Sequence, residues 1–142
     1  MMNRYLLDTN IFVYAVEDRD CLSTDVLAIL EDYESVFYMS AESIKELIVA
    51  FRNKKLLNKK WTSPLDMVRS ITEDYYITVL PVDNEVMKTY SSLELNHLED
   101  HKDPSDHIII SHAMTLRMPL ISSDHKFLYY RPQGLDLIFN EK

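Results

Sequence analysis

An α/β sandwich is the fold class this chain predicts, with a largely parallel central sheet of four to five strands and helices on both faces. Short apolar runs of strand length alternate with amphipathic stretches of helical spacing, and successive strands are separated by roughly 20 to 40 residues. Connections that long are crossovers, which join parallel strands and cover both faces of the sheet. With 142 residues and a 46% hydrophobic fraction, the chain is expected to form a single domain, 1–142, around one core. By size scaling, folding buries roughly 70% of the surface its unfolded form exposes.

Tyr5-Leu6-Leu7 opens as a strand that ends at Asp8, and Asn10 is a plausible cap for the apolar stretch Ile11 to Val16. Ser23 or Thr24 can cap a second helix carrying Val26, Leu27 and Leu30. Val36 to Met39 reads as strand two. Ser40 then caps a helix whose Ile44, Leu47, Ile48 and Phe51 fall at i, i+3, i+4, i+7. Ser63-Pro64 pairs a cap with proline at the first helical position and opens a helix to about Tyr75. Ile77 to Leu80 is strand three, and Asp83 caps a helix with Val86, Met87, Tyr90 and Leu93 on one stripe. Asp103-Pro104 opens a helix to about Met118, Pro119-Leu120-Ile121 is strand four, and Leu135 to Phe139 supplies a fifth strand.

Composition removes several function classes. Glycine averages about 7% of residues, or roughly ten in a chain of this length, yet Gly134 stands alone. Rossmann and Walker loops need several glycines so that backbone amides can approach a phosphate. Chemistry here must therefore come from side chains. A single cysteine, Cys21, excludes an intramolecular disulfide and fits a reducing compartment. The longest apolar run, Ile11 to Val16, falls far short of the roughly 20 residues a membrane span needs. Met1-Met2-Asn3-Arg4 has no signal-peptide pattern. A cytoplasmic protein without membrane contact is expected. Fifteen lysines and arginines against 23 aspartates and glutamates leave a net charge of −8, opposite to general electrostatic binding of nucleic acid. An acidic chain can still act on phosphates when its carboxylates hold a divalent cation.

Sites in parallel sheets form where the carboxyl ends of strands emerge. Asp8 ends strand one, and Asp124 lies just beyond strand four. Glu46 sits one and a half turns into the helix after strand two, and Asp106 in the first turn of the helix after the long acidic loop. All four can reach one edge of the sheet. Carboxylates gathered there repel one another unless a cation sits among them. Hard oxygen ligands suit Mg²⁺ or Mn²⁺, and metal-assisted phosphodiester hydrolysis is the matching reaction. Each acid also has a structural explanation: Asp8 and Asp124 as helix caps, Glu46 as a solvent-facing helical acid, and Asp106 as a partner of the helix dipole. Asp103 reads as an N-cap.

Tyr5-Leu6-Leu7-Asp8-Thr9-Asn10 resembles the opening strand of PIN-domain ribonucleases, particularly the VapC toxins of toxin–antitoxin pairs. His101 to Ala113, beginning His101-Lys102-Asp103-Pro104-Ser105-Asp106, is similar to that family's His-x-Asp-Pro-Phe-Asp-Arg segment. Ile121 to Phe127 resembles its Thr-x-Asp-x-x-Phe segment, and Ser40 to Leu47 its Ser-x-x-x-x-x-Glu-Leu signature. In the family's order, these span positions 5 to 127. The resemblance implies a PIN fold and a Mg²⁺- or Mn²⁺-dependent endoribonuclease. Asp8 and Asp106 would be direct ligands, with Glu46 and Asp124 acting through water or at a second metal. Thr9 and Ser122 match hydroxyl positions that orient metal-bound water, and Asp103 supports the site. An RNA substrate, a small antitoxin and homodimerisation are the implied partners.

Two positions depart from the family pattern: Ser105 replaces its Phe and His107 its Arg. Glu42, one turn ahead of Glu46, competes with it for the site. Five of the nine residues from Arg52 to Lys60 are basic (Arg52, Lys54, Lys55, Lys59, Lys60) and can bind substrate or satisfy a helix C-terminus. Trp61 could stack on a base, and Tyr129, Tyr130 and Arg131 could touch RNA or fill the core. His97 and His101, at i, i+4, have zinc spacing but no accompanying zinc-hydrolase signature. Two other functions fit the sequence less well. A non-cutting PIN-fold module that binds RNA or protein is disfavoured by the intact acids. A phosphoacceptor receiver domain is disfavoured by a lone Asp8 after strand one and by Pro81 after strand three.

Overall fold

The computed structural model of the chain describes residues 2–142. Five strands, β1 (Asn3–Leu7), β2 (Ser35–Ser40), β3 (Thr78–Leu80), β4 (Leu120–Ser122) and β5 (Leu137–Phe139), pair in the order β3-β2-β1-β4-β5. Every pairing is parallel, so the sheet is wholly rather than largely parallel. The chain builds outward from β1 through β2 to β3, then crosses back to lay β4 on the other side of β1. That reversal opens a crevice beyond the carboxyl ends of β1 and β4, where open α/β sheets bind ligands. The two strands are tied at this end by Asp8 N–H donating to the Ile121 carbonyl at 2.9 Å.

Side chains alternate across the sheet. Leu7 and Ile121 point into one half of the core, with Ile11 and Phe12 of α1 (Thr9–Glu17) and Val26 of α2 (Thr24–Glu31). Ile44 and Leu47 of α3 (Ala41–Arg52) and Met67 and Ile71 of α4 (Pro64–Glu73) complete that half. Their neighbours Leu6 and Leu120 point the opposite way, against Ile109, Ile110 and Ala113 of α6 (Pro104–Leu116). Phe127 and Tyr130, from a 3₁₀ stretch at His125–Gln133, close this second half. A further helix, α5 (Asn84–Ser91), packs on α6. Among the described residues, no helix is long and apolar enough to cross a membrane.

Ser40, Ser63, Asp83 and Asp103 cap the helices they precede, and proline takes the first helical position in α4 and α6. Ser23 rather than Thr24 caps α2. Asp8, not Asn10, caps α1, which places the first helical residue directly after the strand. Three elements are shorter than their apolar runs suggest, because the backbone turns left-handed. Tyr76 at φ 57° separates α4 from β3, Arg117 at φ 52° ends α6, and Gly134 at φ 113° precedes β5. At Gly134 nothing but the side chain of Met114, 3.9 Å from a built Cβ, limits the space, so backbone conformation alone favours glycine. Gly134→Ala is expected to cost about 1 kcal/mol. Urea denaturation should show a lower midpoint with an unchanged slope.

Candidate active site

Asp8 emerges at the end of β1 and caps α1, and its carboxylate is almost fully enclosed, 4% exposed. Its Oδ1 accepts from Thr9 N–H at 2.8 Å and its Oδ2 from Ser122 Oγ at 2.7 Å. Ser122, the last residue of β4, also accepts from Asp124 N–H at 3.1 Å, so one hydroxyl joins the ends of the two central strands. Asp124 in turn accepts from Lys126 N–H at 3.0 Å and caps the 3₁₀ stretch.

From α3, Glu46 accepts the Thr9 hydroxyl at Oε1, 2.6 Å away. From the start of α6 come Asp103, which accepts from Ser105 N–H at 2.9 Å, and Asp106. Two sets of side chains offer ligand atoms that all lie within 4.8 Å of one another: Glu46, Asp103 and Asp106, and His101, Asp106 and Asp124. Asp106 belongs to both sets. Asp8 belongs to neither; Ser122 and Thr9 hold it beside them, and it is coupled to Asp106 and Glu46 through their charges.

The crowding appears in proton affinities. Burial, then the charges of Asp103, Glu46 and Asp124, push the Asp106 carboxyl up to about 8. Asp8 rises to about 7, chiefly through burial and further through Asp106 and Glu46, although the Ser122 and Thr9 hydrogen bonds oppose the shift. Burial raises Glu46 too, with Asp103 and Glu42 adding repulsion.

Glu42 and Glu46 are separated by their surroundings. Glu42 is paired with Lys45 and accepts from Ser105 Oγ at 2.8 Å. Those hydrogen bonds outweigh the effect of its burial and keep its carboxyl below the usual range. Glu46 is the glutamate that joins the aspartates. Ser105, in place of the expected Phe, thus belongs to a polar link between α3 and α6, with Lys45 Nζ 3.1 Å from its Oγ. His107, in place of Arg, makes no ion pair among the described residues: it is buried, and its Nε2 donates to the His101 carbonyl at 3.0 Å.

Arg52, Lys54, Lys55, Lys59 and Lys60 are exposed at and after the end of α3. Arg52, Lys54 and Lys59 line a groove of about 430 Å³ with Phe51, Leu56, Asn58, Trp61 and Pro64, and no acid lines it. Glu17 Oε1 holds this loop by accepting from Leu57 N–H at 2.6 Å and Asn58 N–H at 2.9 Å. Trp61 is not free to stack on a base, since it is buried and stacks on Phe12 at 6.4 Å. Tyr130 is likewise core. His97 is exposed while His101 is buried against Asp106, so the i, i+4 histidines do not converge as a zinc pair. Sequence reasoning missed His101 beside Asp106, and gave Asp103 a supporting role where its carboxylate stands within the same 4.8 Å set as Glu46 and Asp106. The spacing of Asp103 and Asp106, about one helical turn, already placed the two side chains on one face.

This fold and this edge of acids define a class. The chain matches the PIN domain over residues 5–131 and belongs to that family. No curated protein matches it by sequence. Among solved structures it is similar to a chain of VapBC2 from Rickettsia felis, crystallised with a DNA fragment from its promoter: 20% identity, TM-score 0.71, 97% of this chain and 99% of that one. A chain of VapBC-1 from nontypeable Haemophilus influenzae gives 22% identity and TM-score 0.70 over 98% and 99% of the two chains. A toxin–antitoxin complex from Klebsiella pneumoniae gives 16% and 0.65 over 97% and 98%.

Raised acids destabilise the fold as they ionise. Stability carried by the neutral forms of Asp8 and Asp106 is complete below their ordinary value of 3.8 and is lost as pH rises through about 7 and about 8. Denaturation of metal-free protein should therefore show stability falling from about pH 4 to about pH 8, with millimolar Mg²⁺ flattening the slope. Asp106→Asn should raise the melting temperature of metal-free protein at the alkaline end and remove most of the Mg²⁺ effect.

Proposed function

We propose that this protein is a Mg²⁺- or Mn²⁺-dependent endoribonuclease that hydrolyses RNA phosphodiester bonds, acting as the toxin of a toxin–antitoxin pair. The observation that carries this reading is the meeting of two acidic sets at Asp106, in the crevice beyond β1 and β4. Carboxylate oxygens within 4.8 Å of one another, with the proton affinity of Asp106 and Glu46 raised among them, are the donor set a hard divalent cation requires. Asp8, Glu46, Asp106 and Asp124 would hold it, and Asp103 would add charge at the edge. A bound cation supplies a polarised phosphoryl oxygen and a lowered pKa for the attacking water.

The chain's own residues prepare the site for that chemistry. Ser122 and Thr9 N–H fix the two oxygens of Asp8, and the Thr9 hydroxyl fixes Glu46, so little reorganisation is needed when substrate arrives. The exposed basic segment of Arg52, Lys54, Lys55, Lys59 and Lys60 would draw the RNA backbone to a protein whose net charge opposes it. The likeness to chains of VapBC and other toxin–antitoxin complexes supports a small antitoxin as partner, and homodimerisation is part of the same proposal.

Incubation with total RNA tests the reading. Cleavage should require Mg²⁺ or Mn²⁺, stop with EDTA, and leave 5′-phosphate and 3′-hydroxyl ends. Asp8→Asn should reduce the rate at least about a hundredfold while the variant stays folded. Undiminished cleavage by that variant would sink the assignment. Replacing Lys54, Lys55, Lys59 and Lys60 with alanine should raise KM, leave kcat near its original value and flatten the dependence on salt.

A further inference from the structure

Behind Asp106 runs a buried chain of hydrogen bonds that the proposed reaction does not use directly. Asn96 N–H donates to Tyr130 Oη at 3.0 Å, Tyr130 Oη lies 3.0 Å from His101 Nδ1, and His101 Nε2 lies 2.9 Å from Asp106 Oδ2. Asn96, His101 and Tyr130 are each at most 3% exposed. Counting protons orders the donors. An ionised Asp106, the form a cation requires, can only accept at Oδ2, so the one proton of the neutral imidazole stands on Nε2 and Nδ1 accepts from the Tyr130 hydroxyl, whose oxygen accepts from Asn96.

Both ends of the chain are fixed. Asn96 Nδ2 donates to Glu99 at 3.0 Å and to the Lys126 carbonyl at 3.2 Å, while Asn96 Oδ1 accepts from Glu99 N–H. The His101 backbone donates to the Asn96 carbonyl at 2.9 Å and accepts from His107 Nε2 at 3.0 Å. With its backbone and both ring nitrogens occupied, the imidazole has a single orientation.

We propose that Asn96, Tyr130 and His101 form a positioning device for Asp106: the imidazole engages Oδ2 and leaves Oδ1, which has no hydrogen bond among the described residues, available to the divalent cation. The inference rests on the metal-dependent reading above. A neutral donor suits this place better than lysine or arginine. It holds the carboxylate without adding a positive charge that would repel the cation from both acidic sets. It also explains why the acid shared by those sets is the one backed by a buried chain.

Calorimetric titration with Mn²⁺ tests the device, alongside metal-free melting temperature and RNA cleavage. His101→Phe, which keeps the ring but removes the donor, should weaken Mn²⁺ binding about 10- to 100-fold. Tyr130→Phe should weaken it several-fold, and His101→Gln, whose amide replaces the Nε2 donor, should recover most of the loss. Met67→Ala, a core truncation on the opposite face of the sheet, should lower the melting temperature while leaving Mn²⁺ affinity intact. Wild-type affinity in both Tyr130→Phe and His101→Phe overturns the proposal, as does an equal loss of affinity in Met67→Ala. If His101→Phe fails to fold, Tyr130→Phe decides the matter: wild-type Mn²⁺ affinity in it overturns the proposal. Wild-type protein that binds Mn²⁺ yet leaves RNA intact counts against the ribonuclease reading alone. Unchanged affinity in the chain variants, with cleavage retained, counts against the positioning device alone. Wild-type protein that binds no Mn²⁺ overturns both.

Discussion

Repulsion among carboxylates at the carboxyl end of the sheet is the constraint around which the rest of this protein is organised. Two neighbouring strands stop at the same height with Asp8 and Asp124 at or just beyond their ends, and α3 and the start of α6 bring Glu46, Asp103 and Asp106 alongside. In water such groups would stay apart. Here burial raises the proton affinity of Asp8, Glu46 and Asp106, so the fold holds an arrangement that opposes its own ionisation. Folds tolerate such local cost where it serves a site, and it must be offset elsewhere. The two apolar halves of the core, packed on opposite faces of one parallel sheet, are where this protein finds the offset.

Structural and functional roles of these acids coincide. Asp8, Asp103 and Asp124 each accept backbone N–H groups at the start of a helix or 3₁₀ segment, and each also stands at the crevice. A helix start offers unsatisfied donors and partial positive charge. Capping therefore tethers the carboxylates while lessening their repulsion. Ser122 and Thr9 extend the same scheme with neutral hydroxyls, and His101 extends it from behind. Lysine enters at the margin, where Lys45 pairs with Glu42 and leaves Glu46 to face the aspartates, and where the charge of Lys126 partly offsets the repulsion at Asp106.

Departures from the family's usual residues carry consequences of their own. Ser105 admits the Glu42–Lys45 pair to the start of α6, a polar join between α3 and α6 where a phenylalanine would have packed. His107 gives up the charge of an arginine and instead braces the backbone of His101. Both changes leave the shared acid, Asp106, on the same helix and the same turn.

Local chemistry determined much of this before any coordinates. Serine and aspartate caps, proline at first helical positions, strand-length apolar runs and long crossovers are short-range signals, and a parallel α/β sheet with acids at strand ends follows from them. The scarcity of glycine excluded phosphate loops for the same local reason. Tertiary structure alone decided what depends on distant segments meeting. It placed Asp106 in two sets at once, separated Glu46 from Glu42 by giving each a different neighbour, buried Trp61 against Phe12, and joined Asn96, Tyr130 and His101 behind the acids. Periodicity reveals which face of an element turns inward, but not which side chain of another element waits there.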